Sequence, residues 1–167
     1  SLEDALDMRD GDAERIRAPL DFVGINLYFR TLVRAAAGDP RLAAVPAGSF
    51  GGDAGPKTDF GWEVWPNALH DMVLRISRDY DRPAIEITEN GCSYADRPGA
   101  DGRVRDTRRI AFYEGYIAAV ARAIEAGADV RGYHAWSLLD NFEWAAGYAQ
   151  RFGLVHVDFK TGARTLK

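Results

Sequence analysis

The run Pro83-Ala84-Ile85-Glu86-Ile87-Thr88-Glu89-Asn90-Gly91 constrains the fold of this 167-residue chain more than any other stretch. Apolar and β-branched residues, opened by a proline and closed by Asn-Gly, predict a short buried strand ending in a tight turn. Glu89 then stands at the strand's last residue. In a parallel β/α architecture ligands and chemistry gather at the carboxyl ends of strands, so position alone makes this glutamate a functional candidate. The other reading of the same stretch is a solvated glutamate beside a turn.

The rest of the chain repeats the pattern. Asp12 to Arg17 reads as a short polar helix end, Pro19 breaks it, and Leu20 to Tyr28 reads as a buried strand that also ends in polar groups. From Ala36 to Asp59 the chain is rich in Gly, Pro and Ala without periodicity, which predicts a rim loop. Pro66 suits the first turn of a helix with Leu69, Met72, Val73, Ile76 and Tyr80 on one face. After a polar loop over Gly91 to Arg105, Asp106 or Thr107 caps a longer helix. Its expected apolar stripe is Ile110, Tyr113, Ile117, Val120 and Ile124, and Gly127 is its stop signal. A third strand, Val130 to Ser137, runs into Leu138 to Trp144, and Phe152 to Asp158 predicts a last strand or hairpin arm before the Lys160-Thr161-Gly162 turn. Strand, loop and helix alternate about three times, which predicts an α/β fold with a parallel sheet covered by helices.

Charge narrows the partners. The net charge is −4 and the basic residues are scattered, which argues against nucleic acid or a membrane surface and favours a small neutral ligand. The single cysteine, Cys92, excludes a disulfide framework, so no oxidising compartment is required and a cytoplasmic location is expected. Neither a run of eighteen apolar residues nor a signal-peptide pattern occurs. Three dispersed histidines and one cysteine offer no metal-ligand spacing, and no glycine loop is built to cradle phosphate, so no metal or cofactor is expected.

All three strands end in aromatic, carboxylate or amide residues: Asn26 and Tyr28, then Glu89 and Asn90, then Trp136, Glu143 and Trp144. In a barrel these ends meet on one face. A pocket walled by tryptophan and furnished with carboxylates suits a sugar, which offers apolar C–H faces for stacking and hydroxyls for hydrogen bonds. The alternative is that the tryptophans are core and the glutamates surface. On residue type alone, Glu89 and Glu143 are the obvious carboxylate pair.

Two longer motifs, Ile87-Thr88-Glu89-Asn90-Gly91 and Trp136-Ser137-Leu138-Leu139-Asp140-Asn141-Phe142-Glu143-Trp144, resemble the carboxyl-terminal part of a family 1 glycoside hydrolase, the β-glucosidase family. Asp21 to Asn26, Thr58 to Glu63 and Arg151 to Leu154 match further family segments in the right order, so the resemblance spans nearly the whole chain. It implies the C-terminal part of a (β/α)₈ TIM barrel, about strands six to eight, that hydrolyses β-glycosidic bonds with retention. By the same resemblance Glu89 is the nucleophile, and Tyr28 hydrogen-bonds it. Asn26 helps order that cluster, Glu143 binds hydroxyls of the non-reducing sugar with Trp144 beside it, and Trp136 forms a stacking floor. Phe152 shapes the glycone pocket, and Trp62 lines the aglycone entrance. The resemblance thus assigns Glu143 to binding, and retention requires a different partner carboxyl group about 5–5.5 Å from Glu89.

That partner is not in this chain. The family's proton-donating glutamate lies in a Thr-x-Asn-Glu-Pro segment, and no Asn-Glu-Pro occurs here. The family glutamine and histidine from its first and third strands are absent too. A complete barrel takes about 250 residues or more, so the chain holds roughly three of eight units. The expectation is therefore a fragment that lacks the N-terminal part of its barrel, leaves sheet edges unpaired and does not hydrolyse glycosides alone. Non-catalytic sugar binding or scaffolding with a companion chain, and 6-phospho-β-glycosidase activity, are the alternatives. Two departures from the motifs stand out. Leu27 replaces an aromatic residue. Glu86, if Glu89 points inward, faces the helical layer and needs a partner such as an arginine.

Overall fold

A computed structural model describes residues 7–35, 44–46 and 55–167. In chain order its elements are helix α1 (Asp12–Ile16), strands β1 (Val23–Asn26), β2 (Val33–Ala35) and β3 (Ala44–Pro46), helix α2 (Asn67–Asp79), strand β4 (Ile85–Asn90), helix α3 (Thr107–Glu125), strand β5 (Val130–Ala135), a 3-10 turn (Trp144–Ala146), and strands β6 (Val155–Val157) and β7 (Arg164–Leu166). β4 lies between β1 and β5, parallel to both. The expected strand–helix alternation is therefore present, with α2 and α3 as the crossovers.

The core lies between this sheet and the two long helices. Ile25, Ile85 and Ile87 from the strands meet Leu69 and Val73 of α2 and Phe112, Tyr116, Val120 and Ala123 of α3. Each fully buried aliphatic side chain stabilises the fold by about 1.5–3 kcal/mol. Pro66 stands in helical conformation, φ −56° and ψ −30°, immediately before α2, where an N–H would have no helical partner. Asp106 precedes α3 but makes no cap bond with its side chain; its carboxylate binds Arg109 instead. Gly127, at φ +99°, lets the chain leave α3 in left-handed backbone.

The expected apolar faces need correction. On α2, Leu69 and Val73 are buried, but Met72 and Tyr80 are 40% and 72% exposed. On α3 the difference is larger: Ile110, Ile117 and Ile124 are about half exposed, while Arg109, Phe112, Tyr116, Ala119 and Ala123 are buried, with Val120 shared by both stripes. Isoleucines seven apart form a stripe as regular as the buried one, and tertiary packing chose the stripe with the two aromatics. β1 is shorter than expected, because its pairing starts where the Val23 amide donates to the Ala84 carbonyl at 2.8 Å; Leu20 and Phe22 before it are exposed.

Two hairpins complete the description. β6 and β7 pair antiparallel around Lys160-Thr161-Gly162, as the sequence suggests. β2 and β3 also pair antiparallel, so part of the segment expected as an irregular rim loop is a strand. Most of that segment, 36–43 and 47–54, lies outside the described residues. Among the described residues no helix is long and apolar enough to cross a membrane.

Candidate active site

The site begins with an irregularity in β4. β1 and β4 pair as Val23 with Ile85, Gly24 with Glu86 and Ile25 with Ile87, and then Asn26 pairs with Glu89, so Thr88 has no counterpart. This is a β-bulge, and one extra residue moves every following side chain to the opposite face. Strict alternation would put Glu89 against the helices with Ile85 and Ile87. The bulge instead sends Glu89 to the face opposite the helices and sends Asn90 inward. Asn90 is fully buried there, donating from Nδ2 to the Leu27 carbonyl at 2.6 Å and accepting from the Tyr133 hydroxyl at 2.5 Å.

The expectation for Glu86 is overturned by the same geometry. Ile85 and Ile87 occupy the helix face, and Glu86 lies on the other, where its carboxylate is 3.2 Å from Nε2 of His134 on β5 rather than paired with an arginine. Gly132 makes room for the pair, because a Cβ there would stand 3.2 Å from both side chains.

Beyond the strand ends the side chains converge. The Tyr28 hydroxyl donates to Glu89 Oε2 at 2.8 Å. Burial, followed by the bond to Glu89 and the charges of Glu89 and Glu143, raises the Tyr28 hydroxyl well above the ordinary phenol range, so it remains a donor. Around its ring stand Trp62, centroids 5.2 Å apart, and Phe152 at 6.2 Å, with Trp62 and Phe152 5.7 Å from each other. Phe60 and Phe29 extend the aromatic wall at 4.6 and 5.1 Å from Trp62. The backbone under Trp62 is fixed by the next residue: Glu63 is fully buried and takes two bonds from Arg30, 2.7 and 3.2 Å long, while the Arg30 guanidinium lies 3.9 Å over the Trp65 ring.

The segment after β5 supplies the second carboxylate. Trp136 Nε1 donates to Glu143 Oε1 at 3.0 Å and Asn141 Nδ2 donates to the same oxygen at 2.8 Å. Asn141 is itself held by the Ser137 hydroxyl at 2.9 Å. Glu143 is buried, whereas Trp144 beside it stands 90% exposed at φ +27°. None of the four tryptophans belongs to the core; Trp62 and Trp136 are half-buried and Trp65 and Trp144 exposed. Of the eight residues singled out in the sequence, Tyr28, Glu89, Trp62 and Phe152 meet directly, Trp136 and Glu143 are bonded to each other, and Asn26 reaches the cluster through Thr88, whose hydroxyl donates to Asn26 Oδ1 at 2.6 Å. Thr88, Asn141, Phe29 and Phe60 were not legible as site residues. Thr88, Phe60 and Asn141 did have a local signal, their places inside the Ile87–Gly91, Thr58–Glu63 and Trp136–Trp144 segments; Phe29 had none.

Behind these segments lies a buried ion network. Arg109 binds Asp106 and Asp96, Lys167 Nζ bridges Asp96 and Asp140 at 2.9 and 2.8 Å, and Arg151 binds Asp140 at 2.6 Å. Asp96, Asp140 and His156 bring ligand atoms within 4.8 Å of one another, a grouping that three dispersed histidines did not suggest. The three carboxylates of the network are already balanced by Arg109, Arg151 and Lys167, so the grouping is poor in free negative charge and unsuited to a dication. Cys92 is buried beside it, and burial pushes its thiol up to about 12, which leaves it unreactive.

Comparison with known proteins places the chain. The sequence profile of glycosyl hydrolase family 1 matches residues 3–167. β-Glucosidase A of Acetivibrio thermocellus is 40% identical over 97% of this chain and 36% of its own length. A 6-phospho-β-galactosidase of Streptococcus equi subsp. zooepidemicus is 38% identical over 96% of this chain and 38% of its own. Among solved structures, the β-glucosidase of Thermotoga maritima in complex with castanospermine superposes with a TM-score of 0.86 at 38% identity, covering 99% of this chain and 37% of that one. The chain thus spans little more than a third of the length of the relatives it matches.

Proposed function

The chain belongs to glycosyl hydrolase family 1, its three strands and their helices forming part of a (β/α)₈ barrel, and from that premise we propose that it carries the nucleophile side of a retaining β-glycosidase site. The observation that carries this reading is the 2.8 Å bond from the Tyr28 hydroxyl to Glu89 at the strand end, within an aromatic wall and next to the Trp136–Glu143 pair. Glu89, ionised, attacks the anomeric carbon of a β-glucoside as the glycosidic C–O bond breaks; the leaving oxygen takes a proton from an acid outside this chain. Water then attacks the glycosyl-enzyme ester, gives its proton to that same group, and returns Glu89 as carboxylate. Tyr28 holds the attacking carboxylate in one orientation. Glu143 takes the sugar's hydroxyls: among the described residues Trp136 and Asn141 both bond its Oε1, and Oε2 is the oxygen offered to the glycone.

The remaining β/α units, with the acid/base glutamate, are the partner this chain requires, and the chain alone is proposed to be inactive. A single buried cysteine suits the cytoplasm. The presence of a 6-phospho-β-galactosidase among the relatives keeps a second substrate class in view, but a buried carboxylate at Glu143 would meet a sugar phosphate with like charge, which favours unphosphorylated glucosides.

The test is hydrolysis of an aryl β-glucoside by two samples, this chain alone and this chain within a barrel completed by the other units. The expected result is turnover only in the completed barrel, abolished by Glu89→Gln. Turnover by the chain alone, sensitive to Glu89→Gln, would mean that a second acid lies within these 167 residues.

A further inference from the structure

The bulge in β4 assigns work to a residue that neither the motif reading nor the proposed mechanism uses. Two rungs join β1 and its extension to β4: Thr88 Oγ1 to Asn26 Oδ1 at 2.6 Å, and Tyr28 Oη to Glu89 Oε2 at 2.8 Å. On the first segment the bonded residues are two apart and on β4 they are adjacent, and in regular strands residues two apart share a face whereas adjacent ones do not. Regular alternation cannot satisfy both bonds. The unpaired Thr88 reconciles them, since Thr88 and Glu89 together oppose Asn26.

We propose that Thr88 is a positioning residue for the nucleophile and for Asn26: its hydroxyl holds the bulge that turns Glu89 to the open face, and it orients the Asn26 amide toward the sugar. This rests on the reading of Glu89 as nucleophile. With Oδ1 engaged by Thr88, the Nδ2 end of Asn26 is the donor end of the amide, matched to a carboxylate or a sugar hydroxyl. β1 is built for this contact. A Cβ at Gly24 would stand 3.1 Å from the Thr88 methyl and 3.3 Å from its hydroxyl, so the glycine leaves the space in which Thr88 reaches Asn26.

Thr88→Val keeps the shape and the β-branch and removes only the hydroxyl. In the completed barrel, the lost hydrogen bond and loosened bulge are expected to lower kcat for aryl β-glucosides about tenfold, with KM nearly unchanged. Because Thr88 acts through Asn26 as well as through the bulge, the same substitution in an Asn26→Ala background is expected to cost less than about threefold. Thr88→Ser, which retains the donor, is expected to stay within about threefold of the parent. The proposal is overturned if Thr88→Val turns over at the parent rate, if its cost is the same with and without Asn26, or, should the valine variant fail to fold, if Thr88→Ser is as slow as Asn26→Ala. Full activity in Glu89→Gln would instead remove the underlying reading and the proposal with it.

Discussion

Asp140→Asn, an exchange of a single atom for another, is expected to destabilise this chain strongly. The Asp140 carboxylate is fully buried and accepts four bonds: Lys167 Nζ at 2.8 Å and the Gly153 amide at 3.0 Å on one oxygen, Arg151 Nη1 at 2.6 Å and the Val157 amide at 3.2 Å on the other. Whichever way an asparagine amide turns, its NH₂ faces two donors. Lys167, 1% exposed, then has Asp96 as its one anionic partner among the described residues. Removing one member of a buried pair costs about 3–5 kcal/mol. For a domain of this size each kcal/mol moves the melting midpoint by about 2–4 °C, so the expected loss is roughly 6–20 °C at pH 7. The pH dependence has a definite sign. Burial alone would raise the Asp140 carboxyl, but the bonds from Lys167 and Arg151 outweigh it and hold the group below the ordinary carboxylate range. A carboxylate lowered in the folded state stabilises above its unfolded pKa, near 3.9 for aspartate, and loses that contribution as pH falls through the folded value. Melting curves followed by circular dichroism therefore have to show a gap between parent and Asp140→Asn that is full at neutral pH and narrows below about pH 4. Adding Lys167→Met leaves Asp96 and Asp106 facing Arg109 and Arg151, two charges of each sign, and is expected to recover part of the loss. A gap under about 2 °C at pH 7, or one that stays constant into acid, would refute the reasoning.

Three further outcomes follow from the geometry. Tyr28→Phe removes a donor to a charged acceptor, a bond worth about 1.5–3 kcal/mol, so kcat/KM for aryl β-glucosides in a completed barrel is expected to fall at least about tenfold, measured by steady-state kinetics. In this chain alone, Ile117→Ser on the exposed stripe of α3 is expected to change the urea unfolding free energy by no more than about 0.5 kcal/mol, against about 3–5 for Phe112→Ala on the buried one; equal costs would reverse the assignment of faces. Gly91→Ala drives a Cβ into the Trp136 backbone carbonyl, which has no freedom to yield, and is expected to abolish cooperative unfolding by circular dichroism.

How far the sequence carried depends on the range of each interaction. The strand–helix alternation and the strand ends were legible because they are written locally, in β-branched runs closed by Asn-Gly and in prolines and glycines at element boundaries. The bulge at Thr88 was not, since period-two reasoning assumes that no residue is skipped; it placed Glu86 and Glu89 on opposite faces and expected an arginine where His134 stands. The faces of α3 were misjudged for a related reason. Its isoleucines and its aromatics make two competing stripes, and only the sheet decides between them. The ion network joins residues 96, 106, 109, 140, 151 and 167 from five segments, so no window of sequence contains it. Tyr28 and Glu89 are 61 residues apart, and the family motifs, not periodicity, linked them.

The central claim is that Glu89 forms the bond to the sugar. A 2-deoxy-2-fluoro-β-glucoside with a good leaving group, incubated with the completed barrel and followed by proteolysis and peptide mass spectrometry, tests it directly, because fluorine slows release of the covalent intermediate. The expected result is one glycosyl adduct, on the peptide that contains Glu89, lost in Glu89→Gln. An adduct on Glu143 or another carboxylate, or turnover with inverted configuration and no adduct, contradicts it.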